Sequence, residues 1–175
     1  AQTPELPLAD RGNYLNKLTA TARTMVANLD EIVWAVNPKY DSVASLASYY
    51  SLFAQRFLNL AGIACRLQVA EKFPFAPIKA HSRHGVFLAF KEALNNAVRH
   101  SRATQVLIKM EGVANELRIS VSDNGHGFAS ADQLPGSDGL SGMQERMAKL
   151  GGRCEIRSEP GKGTIVEFRL PVGES

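Results

Sequence analysis

The sequence predicts an α+β protein, a two-layer α/β sandwich preceded by a helical hairpin. Three observations carry this expectation. Over residues 10–60, apolar side chains recur at three- and four-residue spacing, the period of a helix with one buried face. Beyond Gly62, short runs such as Leu117, Ile119 and Val121 alternate with Arg118, Ser120 and Ser122, the period of a half-buried strand. Such alternation buries one sheet face and wets the other, which suits an antiparallel or mixed sheet covered by helices on one side.

Composition sets outer limits. The chain has 175 residues, 45% hydrophobic and 21% charged, so it can bury a core without disulfides or a structural metal. No apolar run approaches the ~18 residues of a membrane span, and residues 1–10 do not resemble a signal peptide. The first residue is not Met, and the chain is expected to be a piece of a longer protein. The net charge of +3 gives no reason to expect nucleic acid. Two cysteines, Cys65 and Cys154, fit a reducing, cytoplasmic compartment. Neither a CxxC pair, an HExxH helix nor a P-loop occurs; Gly161-Lys162-Gly163-Thr164 has the wrong order for the last.

The elements follow in order. Residues 10–36 predict a helix with a heptad seam of Leu15, Leu18, Ala22, Met25, Leu29, Ile32 and Val36. Asn37-Pro38 ends it, because proline disfavours helix in the residue before it. A second helix follows, capped by Asp41 or Ser42, with a stripe of Val43, Leu46, Tyr50, Phe53, Phe57 and Leu60. The pair makes an αα-hairpin over residues 1–62, whose seam must meet either the rest of the chain or a second copy. The sustained stripes and the long first helix favour a second copy. Residues 63–175 form the sandwich. Strands are expected at 63–70, 105–111, 116–123, 153–158 and 164–170, with helices at 81–101 and 142–150 and a loop over 73–78.

Four strings carry chemistry. On the 81–101 helix, Val86, Phe90, Ala93, Leu94 and Ala97 form an apolar face. Glu92, Asn96 and Arg99 fall together on the opposite side, flanked by His100. A solvated face would explain any one of them. The mixture of carboxylate, amide, guanidinium and imidazole can instead hold a base, a cation ligand and anion contacts. Next, Asp123-Asn124-Gly125-His126-Gly127-Phe128 stands where a strand ends. It is either a plain tight turn or a carboxylate with glycines that let backbone lie against a flat ligand. Third, Gly136-Ser137-Asp138-Gly139-Leu140-Ser141-Gly142-Met143 enters a helix, whose free N–H groups suit an anion. Ser141 with Gln144 also reads as a capping box. The fourth is Gly161-Lys162-Gly163-Thr164, before the last strand.

In this order and spacing the four strings resemble the ATP-binding domain of the histidine-kinase, Hsp90 and MutL superfamily, the Bergerat or GHKL type, over residues 63–171. KEALNNAVRHS resembles the N box of sensor histidine kinases of two-component systems, and LDEIVWAVNP resembles part of their dimerisation region. The resemblance implies Mg²⁺ and ATP as ligands, with Asn96 on the metal and Glu92 as general base. It further implies Arg99 and His100 near the phosphates, Asp123 on the adenine amine and Thr164 assisting. Gly125, Gly127, Gly139, Leu140 and Gly142 would shape the pocket, with 128–138 as a lid. An acceptor carbonyl in place of that amine would leave Asp123 unpaired, so GTP is expected to be rejected. Implied partners are a second copy through the N-terminal helices and a response-regulator receiver domain; the resemblance leaves open a membrane-anchored longer protein.

The chain departs from the family pattern in two places. Ser137-Asp138-Gly139-Leu140 stands where Gly-x-Gly-Leu is usual, and Gly136 lies one residue early. No histidine precedes His81, so the phosphoacceptor of the family is absent and autophosphorylation of this chain is not expected. A serine kinase or ATPase of the same superfamily, and a nucleotide-sensing dimerisation module that transfers nothing, are the alternative readings.

Overall fold

The computed structural model describes residues 18–19, 33–34, 37–73, 77–113, 115–129 and 138–173. Most of the expected 10–36 helix lies outside them, as do residues 130–137 of the expected lid. Val33 and Trp34 are helical, and a 3-10 turn at Pro38–Tyr40 follows.

Helix α1 spans Val43–Leu60. Its cap is Ser42, whose hydroxyl accepts the Ser45 N–H at 3.1 Å and so satisfies one of the orphan donors of the first turn. The buried face differs from the expected stripe: it runs Val43, Leu46, Ala47, Tyr50, Ala54 and Leu58, while Leu60 is 90% exposed. Large aromatics at 53 and 57 drew the reading one residue aside. The small Ala47 and Ala54 instead lie at the contact, where they let neighbouring elements approach closely. This face shares one core with the helix and strands that follow. The buried face of the second arm of the expected hairpin is therefore packed on its own chain.

Strand β1 (Ala64–Val69) leads to helix α2 (Ala80–His100), then to β2 (Gln105–Val113) and β3 (Glu116–Asp123). Helix α3 (Asp138–Lys149), β4 (Arg153–Glu159) and β5 (Gly163–Pro171) complete the order. The sheet runs β1-β2-β3-β5-β4, with β1 parallel to β2 and every other pair antiparallel. It is thus the mixed form of the expected sheet. Val106, Ile108 and Met110 of β2, Leu117, Ile119 and Val121 of β3, and Val166, Phe168 and Leu170 of β5 are buried. Their period of two puts them on one face, against the apolar side of α2, where Val86, Phe90, Ala93, Leu94 and Ala97 are all buried as expected.

Helix α3 begins at Asp138, four residues before the expected start. Ser141 is therefore inside the helix, and the Ser141–Gln144 capping box does not mark its end. Glycine is a poor helix former, which is why Gly139 and Gly142 read as loop. Among the described residues, no helix is long and apolar enough to cross a membrane.

Candidate functional site

The antiparallel register sets the first half of the site. Asp123 is the last residue of β3, opposite Val106, and Ser122 pairs with Ile165. Asp123 therefore lies beside Thr164 at the start of β5. The turn after it is pinned from both sides. Asn124 Oδ1 accepts the N–H groups of Thr104 and Gln105 at 3.0 and 2.9 Å, and His126 N–H donates to the Ser101 carbonyl at 2.9 Å.

Three glycines are demanded by this packing. A Cβ on Gly125 would stand 2.2 Å from the Ser101 carbonyl oxygen. One on Gly127, where φ is +58°, would stand 2.1 Å from the Glu159 oxygen. One on Gly163, where φ is +78°, would stand 2.0 Å from the backbone oxygen of Asp123. Gly163 was singled out only as part of the fourth string, without a role of its own, yet its close approach seats the start of β5 against Asp123. A glycine directly before Thr164 was the available signal.

These elements and α2 enclose a cleft of about 410 Å³. Asp123 lies in it with Thr164, His126 and Gly127 at one side, while Glu92, Asn96 and His100 line it from α2. Ala93, Ala97, Val121, Phe128, Leu140 and Val166 give apolar walls, and Ser101 and Gly139 complete the lining. Of the expected residues, Gly125 lies behind the cleft rather than on it, and Arg99 is exposed and lines neither this cleft nor its neighbour. Gly142 lines the neighbouring cavity between α2 and α3, together with Lys91 and Arg146. Lys91 and Arg146, neither of which was foreseen, line that cavity together with Glu92. Leu88 and Lys91 on α2, and Met143 and Arg146 on α3, have the three-residue spacing of one helix face, a signal visible in the sequence.

Gly139 joins the two ends of the site. Its ideal Cβ would lie 2.7 Å from Glu92 Oε1 and 3.7 Å from Asn96 Nδ2. Any side chain there would push Glu92 aside, so glycine lets the N-terminal turn of α3 lie directly over Glu92 and Asn96.

Asp123 is almost buried, at 9% exposure. Burial pushes its carboxyl above the usual carboxylate range, and the N–H groups of Gly125 and Thr164 and the charge of His126 oppose that rise. The Gly125 N–H donates to Asp123 Oδ1 at 2.9 Å. A desolvated carboxylate in an apolar-walled cleft gains most from a ligand that brings a donor. Thr164 Oγ1 is 2.9 Å from Ser158 Oγ, which also accepts the Phe128 N–H at 2.9 Å. Among the described residues, no three His, Cys, Asp or Glu side chains cluster as a metal cage.

Comparison with known proteins places the fold and the family. Residues 81–174, more than half of the chain, match the family described as histidine kinase-, DNA gyrase B-, and HSP90-like ATPase. The sensor histidine kinase LiaS of Bacillus subtilis is 39% identical over 87 residues, 50% of this chain and 24% of that protein. The histidine-protein kinase/phosphatase DegS of Brevibacillus brevis is 34% identical over 102 residues, 58% of this chain and 25% of that protein. The chain thus spans about a quarter of the length of these relatives. The fold matches full-length ShkA in complex with AMPPNP with a TM-score of 0.66 at 19% identity, covering 98% of this chain and 41% of that one. The histidine kinase domain of an Erythrobacter litoralis blue-light activated kinase matches with a TM-score of 0.61 at 21% identity, covering 73% and 61%. The chain belongs to the family of histidine kinase-, DNA gyrase B- and HSP90-like ATPases, and its relatives by sequence are sensor histidine kinases.

Proposed function

We propose that the cleft binds Mg·ATP and that the domain serves a two-component sensor histidine kinase, presenting the γ-phosphoryl group to a histidine carried by a separate segment. The observation that carries this reading is the placement of Asp123. Its desolvated carboxylate stands at one side of a cleft whose other side holds Glu92 and Asn96 under a helix N-terminus. An adenine amine donates to a carboxylate; the guanine carbonyl at the same place does not. The free N–H groups at the start of α3 suit phosphate oxygens.

The residues present also suit magnesium. Mg²⁺ is commonly held by one or two protein oxygens together with substrate phosphates, rather than by a cage of side chains. Asn96 offers an amide oxygen for it, and the absence of an acidic cage among the described residues is compatible with that mode. When bound, the ion neutralises and orients phosphate charge. Glu92 takes or polarises the proton of the incoming imidazole, and the surrounding groups act by positioning and by charge. A second copy, met through the heptad seam of residues 10–36, and a receiver domain that takes the phosphoryl group onward complete the proposed assembly.

Calorimetry with ATP and GTP in the presence of Mg²⁺ tests this reading. ATP is expected to bind and GTP to give no heat; equal affinities would remove the adenine assignment. Asn96→Ala is expected to reduce the magnesium dependence of ATP affinity while leaving the melting temperature near that of the parent chain. Incubation of this 175-residue chain with ATP is expected to yield no phosphohistidine, because its histidines all stand at or after His81.

A further inference from the structure

The cleft and the cavity of about 440 Å³ beside it share two lining residues, Glu92 and Gly139. These two stand against each other, since a Cβ on Gly139 would come within 2.7 Å of Glu92 Oε1. The border between the two spaces is therefore one carboxylate beneath one turn of backbone.

Charge is divided unevenly across this border. The described lining of the cleft includes no lysine or arginine, and much of it is apolar. The cavity beyond Glu92 carries Lys91 and Asn95 from α2 and Arg146 from α3. Lys91 and Asn95 are four residues apart, as are Gly142 and Arg146, so each pair lies along one face of its helix and the two faces meet at the cavity. Met143, one turn before Arg146, is buried in the shared core and seats α3 there. Arg146 makes no ion pair among the described residues. Arg99, to which the resemblance gave a phosphate contact, lines neither space.

An adenine that donates to Asp123 directs the rest of its nucleotide toward Glu92 and Gly139, and the cations stand past them. We propose that Arg146, with Lys91 beside it, binds the terminal phosphoryl group of the nucleotide, in the role that the resemblance gave to Arg99. This inference rests on the Mg·ATP reading of the cleft. A guanidinium presents paired N–H donors to two phosphoryl oxygens at once, and an ammonium adds a point charge. The contact belongs to ATP and is missing in ADP, which lacks that group.

Calorimetry with Mg·ATP and Mg·ADP on the intact chain, Arg146→Gln, Arg146→Lys, Lys91→Gln and Arg99→Gln, each with a circular-dichroism melt, tests this. The parent chain is expected to bind ATP more tightly than ADP. Arg146→Gln is expected to lower ATP affinity by roughly tenfold or more, the loss of a charged hydrogen bond, and ADP affinity by less than about twofold. Arg146→Lys, which keeps the charge and loses the fork, is expected to fall between it and the parent. Arg99→Gln is expected to keep the parent's ratio of ATP to ADP affinity. An unchanged ratio in Arg146→Gln, or an equal loss for both nucleotides, would overturn the proposal, and so would a ratio that collapses in Arg99→Gln instead. Should Arg146→Gln fail to fold, an unchanged ratio in both Arg146→Lys and Lys91→Gln overturns it. A parent chain that binds neither nucleotide removes the Mg·ATP reading and this inference together. A parent that binds both, with the ratio kept in Arg146→Gln, removes this inference alone.

Discussion

Among the described residues, Arg83 near the start of helix α2 and Asp123 at the end of β3 are the buried ionisable pair, and the fold treats them in opposite ways. Arg83 is closed in by partners from its own chain: a carboxylate, two carbonyls and an aromatic face. Asp123 holds backbone N–H groups on its inner side and faces a cleft of about 410 Å³ on the other. A buried charge with its partners built in is part of the scaffold. One whose partners are supplied from one side is prepared for a ligand. Helix α2 carries Arg83 near its start and, through Glu92, Asn96 and His100, lines the cleft that Asp123 faces from the end of β3.

The largest expected effect comes from removing what both regions share. Phe90 is fully buried and stacked on Tyr50 with centroids 4.9 Å apart. Phe90→Ala should cost about 3–5 kcal/mol, the transfer and cavity terms of a large core residue. Urea denaturation followed at Trp34 and by circular dichroism checks it. A cost below about 1 kcal/mol, typical of a surface site, would mean that α2 is not the common support of the Arg83 surroundings and the cleft.

Asp123→Asn should act on ligand rather than fold. It replaces one acceptor oxygen with a donor and is expected to weaken ATP binding by about 1–3 kcal/mol, roughly five- to 150-fold. Calorimetry on a variant whose melt is intact reads this directly; unchanged affinity would place the adenine elsewhere.

The same residue gives a pH signature. Burial raises the Asp123 pKa in the folded chain above its unfolded value. Folding is therefore linked to proton uptake by this group. Its contribution is fully present below the unfolded carboxylate pKa and is lost as pH rises through the folded value. At neutral pH the charged, desolvated carboxylate is a cost that Asp123→Asn removes. In the absence of nucleotide the variant should melt at or above the parent at pH 7, with the advantage shrinking as pH falls through the carboxylate range. A growing advantage at low pH would show that the backbone N–H groups outweigh burial.

What was legible in the sequence follows the same division. Strand β3 was read to the residue, because its apolar positions alternate without interruption and it ends at a turn-forming Asp-Asn-Gly. Glu92, Asn96, His100 and Asp123 were singled out from motif and spacing and Thr164 from the family resemblance, and the fold brings the five to one cleft. Arg83 was missed. It lies in His81-Ser82-Arg83-His84, a polar start to a helix, and its partners Trp34, Asn37 and Asp41 are more than forty positions away in sequence. Periodicity records which side of a helix is apolar; it carries no information about a single cation closed in by a distant turn. The parallel pairing of β1 with β2 was equally hidden, since alternation is the same in either direction. The start of α3 was misplaced because Gly139 and Gly142 lower helix propensity, while the need for glycine over Glu92 is visible only in three dimensions.

The smallest expected effect separates those two glycines. A Cβ at Gly139 would collide with Glu92, but one at Gly142 would meet nothing within 4 Å. If Gly142 is only a helical residue, Gly142→Ala should stabilise the chain by about 0.5–1 kcal/mol, since alanine loses less backbone entropy in a helix. Packing therefore gives no reason for glycine at 142. If the anionic end of the nucleotide lies against this turn of α3, the added methyl must stand where that ligand approaches. The expected result is a higher melting temperature without nucleotide, together with weaker ATP binding. A variant that gains stability and binds ATP unchanged would place the phosphates nearer Gly139. A variant that loses stability without ligand would mean that the helix does not run through Gly142 in the conformation described.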